Sequence, residues 1–169
     1  TSYAQKALAQ DQKRAPFHAL NGFIMLKKKD YSGAERSFQQ SLTIDPNYQP
    51  AVRGMGAKSY LQGKYTESIQ YLRRGLTLFP EDLPSFYFLG MNYYRTKSYK
   101  NAITYLKPFA DAQPKHPRVH GILGTCYENV GDINNAYSEH VKQAKIDPTS
   151  DVGKASVERA RSLQLKYGR

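Results

Sequence analysis

At 169 residues, with 25 lysines and arginines against 14 acids, the chain carries a formal charge of +11 and is long enough to bury a core. A single cysteine, Cys126, excludes an internal disulfide, and no stretch approaches the ~20 apolar residues that a membrane-spanning helix needs. The positive charge is dispersed, its only like-charge run being residues 27–29, which argues against a nucleic-acid tail.

Taken from the N-terminus, residues 2–12 read as a helix with Ala4 and Ala7 on its inner face. Beyond them a fixed period sets in. Gly22, Gly56, Gly90 and Gly124 are each 34 residues apart, and so are Pro46, Pro80, Pro114 and Pro148. Such a period marks stacked helix–turn–helix units. It divides the chain into residues 1–14 (the second helix of a partial preceding unit), four complete units at 15–48, 49–82, 83–116 and 117–150, and a C-terminal capping helix at 151–169. An orphan helix at the front suggests an array that continues upstream in a longer protein, the alternative being an N-terminal capping helix.

Each unit is predicted to hold two helices, A and B. Pro16, Pro50 and Pro84 open helix A, where a missing N–H costs nothing. The closing prolines follow helix B, which they cannot continue. Helices A and B must cross closely, so the four glycines remove the side chain at the nearest approach. Ala34, Ala102 and Ala136 do the same from helix B, with Ser68 in that slot of the second unit, and Phe38, Leu72 and Leu106 supply the neighbouring bulk. Tyr31, Tyr65, Tyr99 and Ile133 fall where helix B starts. Pro108 lies inside helix B of the third unit and is expected to kink or loosen it. The last helix puts Val152, Ala155, Ala160 and Leu163 inward and Lys154, Glu158, Arg159 and Arg161 outward, as a soluble terminus requires.

The third unit reads Phe86-x2-Leu89-Gly90-x2-Tyr93…Ala102-x3-Leu106…Pro114, and the fourth His120-x2-Leu123-Gly124-x2-Tyr127…Ala136-x3-His140…Pro148. This resembles the tetratricopeptide repeat family, W-x2-L-G-x2-Y…A-x3-F…P. The second unit (Val52, Met55, Gly56, Ser59) and the first (His18, Asn21, Gly22, Met25) keep less of the pattern, and no unit keeps the tryptophan. Residues 15–150 nevertheless stay in register without an insertion or deletion. The resemblance implies an all-α fold, a right-handed α-solenoid with a capping helix.

For chemistry the chain offers little. His18 and His120 occupy the first signature slot of helix A and His140 the bulky slot of helix B, so all three are expected to pack rather than ligate. His116 and His120 are four apart, but Pro117 intervenes. No H-E-x-x-H, Cys-x-x-Cys or glycine-rich phosphate loop is present, and Cys126 reads as a structural thiol. No catalytic residue, metal or cofactor is expected.

The resemblance implies instead a non-catalytic scaffold that binds a protein or peptide in a concave groove lined by helix A. Carried onto this sequence, the binding residues are Phe23, Lys27, Arg53, Tyr60 and Tyr87, followed by Met91, Tyr94, Arg95, Arg118 and Thr125. Leu26, Ala57, Glu128 and Asn129 flank them. Aromatics interleaved with arginines suit a peptide surface, with an acidic partner matching the guanidiniums. The carboxylate clamp of chaperone-tail-binding repeats is not reproduced: its places hold Ala19, Phe23, Gly54, Pro84 and Phe88, or, one unit along, Arg53, Ala57, Phe88, Arg118 and Ile122. Sequence-specific nucleic-acid reading has no motif to support it. An alternative follows from residues 15–22, Ala-Pro-Phe-His-Ala-Leu-Asn-Gly. That segment resembles the start of the C-terminal repeats of bacterial periplasmic zinc metallopeptidases, which would make this a substrate-presenting region of the cell envelope.

Overall fold

In the computed structural model, residues 14–168 are described; the helix expected at 2–12 lies outside them. Every regular element among the described residues is a helix. These are α1 (Ala15–Lys27), α2 (Tyr31–Ile44), α3 (Gln49–Leu61), α4 (Tyr65–Leu78), α5 (Leu83–Arg95), α6 (Tyr99–Ala112), α7 (Val119–Asn129), α8 (Ile133–Ile146) and α9 (Asp151–Tyr167). The architecture is an all-α helical-repeat solenoid. Helix B begins at Tyr31, Tyr65, Tyr99 and Ile133, in step with the sequence period.

The turns that join A to B repeat as well. After each helix A a left-handed residue closes the turn: Lys29 (φ 60°), Gly63 (φ 75°), Lys97 (φ 59°) and Gly131 (φ 81°). The following N–H reaches back to the helix in every case, Asp30 to Met25, Lys64 to Ser59, Ser98 to Tyr93 and Asp132 to Tyr127, at 2.8–3.0 Å. This is the Schellman closure, and it satisfies a carbonyl that the helix end would otherwise leave unpaired. Glycine is suited to it and lysine is not, yet lysine holds two of the four positions. Asp30 and Asp132 then cap the next helix, accepting from the backbone N–H of Gly33 at 2.8 Å and of Asn135 at 3.2 Å.

The chain divides into two compact units, one ending at Phe88 and the other beginning at Leu89. In the first, α1 packs on α2, α3 on α4, and α3 also meets α1 and α2. A methyl group at Gly22 or Gly54 would collide with the ring of Phe38, which is therefore wedged between two helix A backbones and fully buried. Leu72 covers Gly56 in the same way; a Cβ there would come within 2.6 Å of its Cγ. Ser68, the polar replacement in the alanine slot, is satisfied by donating its hydroxyl to the Gly56 carbonyl at 2.7 Å. In the second unit Leu106 covers Gly90 and His140 covers Gly124. The bulky residues thus sit over the glycines rather than beside them.

Pro108 does not interrupt α6, which runs its full 14 residues with Phe109 and Ala110 buried just past it. The proline itself is exposed, so the carbonyl left without its N–H partner lies on the solvent side of the helix. No helix among the described residues is long and apolar enough to cross a membrane.

Candidate functional site

The first unit places five of the residues expected to bind. Phe23 is half-buried, its ring edge-on to Phe38 at 5.1 Å, and the Arg53 guanidinium lies 5.6 Å above the Phe23 ring. Arg53 also donates from NH1 to Asp82 Oδ1 at 2.5 Å. Asp82 is itself buried and caps the start of α5; its second oxygen accepts from the Ser85 N–H at 3.0 Å and from the Ser85 hydroxyl. The charge of Arg53 is therefore committed to holding a buried cap. Tyr60 packs against Tyr65 and Phe88, with centroids at 6.0 and 5.7 Å, and Tyr87 lies 5.8 Å from Phe88. Lys27 is exposed at the end of α1.

Sequence reasoning missed Lys58 in this unit. Only 1% of its side chain is exposed, and its ammonium lies 3.1 Å from Glu35 and 4.0 Å from Glu67. The 34-residue register aligns it with Ile24, Asn92 and Cys126, of which Asn92 and Cys126 are buried. That alignment was the available signal for a buried position.

The second unit brings the remaining five together. Met91, Tyr94 and Arg95 near the end of α5 line an open groove of about 530 Å³. Arg118, just before α7, and Ile122 and Thr125 along it line the groove as well. The helix α9 contributes Val152, Ala155, Ser156 and Arg159, with Asp151 at its start. The C-terminal helix thus helps to line the groove, and Arg159, expected on the outer face, borders it.

The start of α7 is built by close packing and by satisfied backbone. Gly121 leaves room where a Cβ would come within 3.2–3.3 Å of Ser156, Gln143 and Val152. Gln143, fully buried on α8, accepts from the Gly121 N–H at 3.1 Å and donates to the Pro117 carbonyl at 2.9 Å. It stands in for the side-chain cap that Arg118 does not provide. Thr125 bonds back to the Gly121 carbonyl at 3.0 Å, and Asn129 donates to the Thr125 carbonyl at 2.8 Å, so both polar groups serve α7 itself.

Two buried histidine pairs support this unit. His140 Nε2 lies 2.7 Å from Glu128 Oε1, so that nitrogen carries the proton and the carboxylate accepts. Its Nδ1 is buried without a partner, and a second proton there would be stranded. Burial, opposed by the bond to Glu128, holds the His140 pKa below the ordinary 6.5, and the ring is neutral. His120 differs. Its Nδ1 faces Glu139 Oε2 at 2.6 Å and its Nε2 faces the Pro114 carbonyl at 3.0 Å. Both partners are acceptors, so only the imidazolium makes both bonds. Burial pushes the Glu139 carboxyl up, but hydrogen bonds from His120 and Lys142 outweigh it and leave the pKa below 4.5. His120 and His140 do pack in core slots, each hydrogen-bonded to a glutamate. His116 sits in the loop before α7, its ring edge-on to Phe109 at 5.1 Å. Burial pushes the Cys126 thiol up to about 12, so the thiolate that would react is not formed near neutral pH.

Comparison with known proteins bears on the fold. Residues 83–116 match the family profile described as tetratricopeptide repeat. No curated protein matches the chain in sequence. Among solved structures, MamA of AMB-1 superposes with a TM-score of 0.79 at 20% identity, covering 90% of this chain and 88% of that one. MamA from Desulfovibrio magneticus RS-1 gives 0.74 at 19% identity, covering 92% of this chain and 96% of that one. YrrB, described as a TPR protein with an unusual peptide-binding site, gives 0.77 at 17% identity and covers 99% of this chain and 95% of its own. Residues 83–116 are a tetratricopeptide repeat, and the chain as a whole has the tetratricopeptide-repeat fold.

Proposed function

We propose that this chain is a non-catalytic docking scaffold that holds an acidic peptide segment of a partner protein against its helix A residues. The groove between α5, α7 and α9 is its seat. One observation carries the reading: Arg95, Arg118 and Arg159 border a groove whose apolar lining comes from Met91, Ile122, Val152 and Ala155. Guanidiniums around an apolar strip recognise a segment in which carboxylates alternate with aliphatic side chains. The peptide-binding site named for YrrB shows that a protein of this fold can bind a peptide. The Cys126 thiol is buried and held protonated, and His140, on the groove lining, is engaged through Nε2 by Glu128, in keeping with a docking rather than a reacting surface.

The test is a fluorescence-anisotropy titration with a short fluorescein-labelled peptide of alternating aspartate and leucine, and its asparagine counterpart. The aspartate peptide is expected to bind more tightly, and to weaken several-fold as salt rises from about 50 to about 200 mM. Equal binding of the two peptides, or binding of neither, would overturn the proposal.

A further inference from the structure

Arg159 is held in an unusual way for a residue of a terminal helix. Its NH1 lies 3.6 Å from Glu128 Oε2, longer than a hydrogen bond, and its side chain is 62% exposed. The other Glu128 oxygen is fixed at 2.7 Å by His140, which is itself 2% exposed and pressed on Gly124. His140 of α8 therefore sets where the Glu128 carboxylate of α7 sits, and the Arg159 guanidinium lies beside that carboxylate on the groove lining. Because the pair is long, the donors of Arg159 stay available to a carboxylate arriving from solution. Asp151 is the one acid on the groove lining, against three arginines.

Resting on the docking reading above, we infer that Arg159 is the specificity-determining residue of the groove. It reads an acidic side chain of the bound segment while a neighbouring aliphatic side chain settles on Ile122, Val152 and Ala155. Glu128 and His140 are positioning residues for it. Arg161, two residues along α9, borders a different surface with Val157 and Ala160 and takes no part.

The same two peptides test this on the intact chain. Arg159→Gln is expected to weaken the aspartate peptide about tenfold and leave the asparagine peptide within about twofold, whereas Arg161→Gln changes neither. Arg161→Gln loses the same charge, so it separates a local contact from the general positive field. Circular dichroism and the melting midpoint should be unchanged in both variants, since both side chains are exposed. Undiminished selectivity in Arg159→Gln, or an equal loss for both peptides or in both variants, would overturn the assignment to Arg159. A wild-type chain that ignores the aspartate peptide overturns the docking reading itself.

Discussion

The slot over the helix A glycine is filled by Phe38 in the first unit and by His140 in the second, and the two solve the same steric problem with opposite chemistry. Phe38 is sealed between Gly22 and Gly54 with no acceptor in register: the position equivalent to Glu128 is Leu26. His140 meets Glu128, and through it Arg159. The arginines divide similarly. Arg53 is committed to the buried Asp82, whereas Arg159 keeps only a long pair at a groove edge. Backbone register is thus common to both units, and the function of a slot depends on which polar partner the adjacent helices supply.

Exchanging the slot residues breaks that contrast with the largest effect. Phe38→His would bury two ring nitrogens without partners and is expected to cost about 3 kcal/mol in chemical denaturation. His140→Phe removes a buried polar ring and leaves Glu128, which is partly exposed, to Arg159, so its cost should be below about 1 kcal/mol. Equal losses would mean that the slots are distinguished by volume alone. Acid sharpens the same comparison. His140 has a folded pKa below its unfolded one, so the unfolded chain binds more protons and stability falls as pH drops below about 6.5. His140→Phe should flatten most of that fall between pH 7 and pH 5.5. A remainder stays with His116, whose pKa is lowered by burial and by its neighbours His120 and Arg118. Glu139, held below 4.5, adds its loss only at lower pH.

A smaller effect concerns what the units share. Lys29→Gly and Lys97→Gly relieve the left-handed strain that Gly63 and Gly131 never carry, and each should stabilise the chain by about 1 kcal/mol. The reciprocal Gly63→Lys should destabilise by the same order. A neutral result in all three would show that the turn tolerates lysine without cost.

Helix starts, closing prolines and the glycine crossings were legible in the sequence because they repeat, and repetition reports backbone geometry directly. The four left-handed turn residues also repeat, but lysine at two of them hid the pattern that glycine alone would have announced. Other features depend on partners brought from distant positions. The Asp82 that engages Arg53 is 29 residues away, and Lys58 finds Glu35 and Glu67 on flanking helices. No periodicity encodes such pairings. The groove shows both sides of this. Met91, Tyr94, Arg95, Arg118 and Thr125 follow from their register on helix A, while Val152, Ala155 and Arg159 come from a helix that reads in sequence only as a polar stop.

The most direct measurement is a chemical-shift map of the chain as the aspartate–leucine peptide is added. The account predicts perturbations centred on Met91, Ile122, Thr125, Val152, Ala155 and the Arg159 side chain, with Arg53 and Phe23 unmoved. Shifts centred on Phe23, Arg53 and Tyr60 instead, or spread over the whole basic surface, would contradict it.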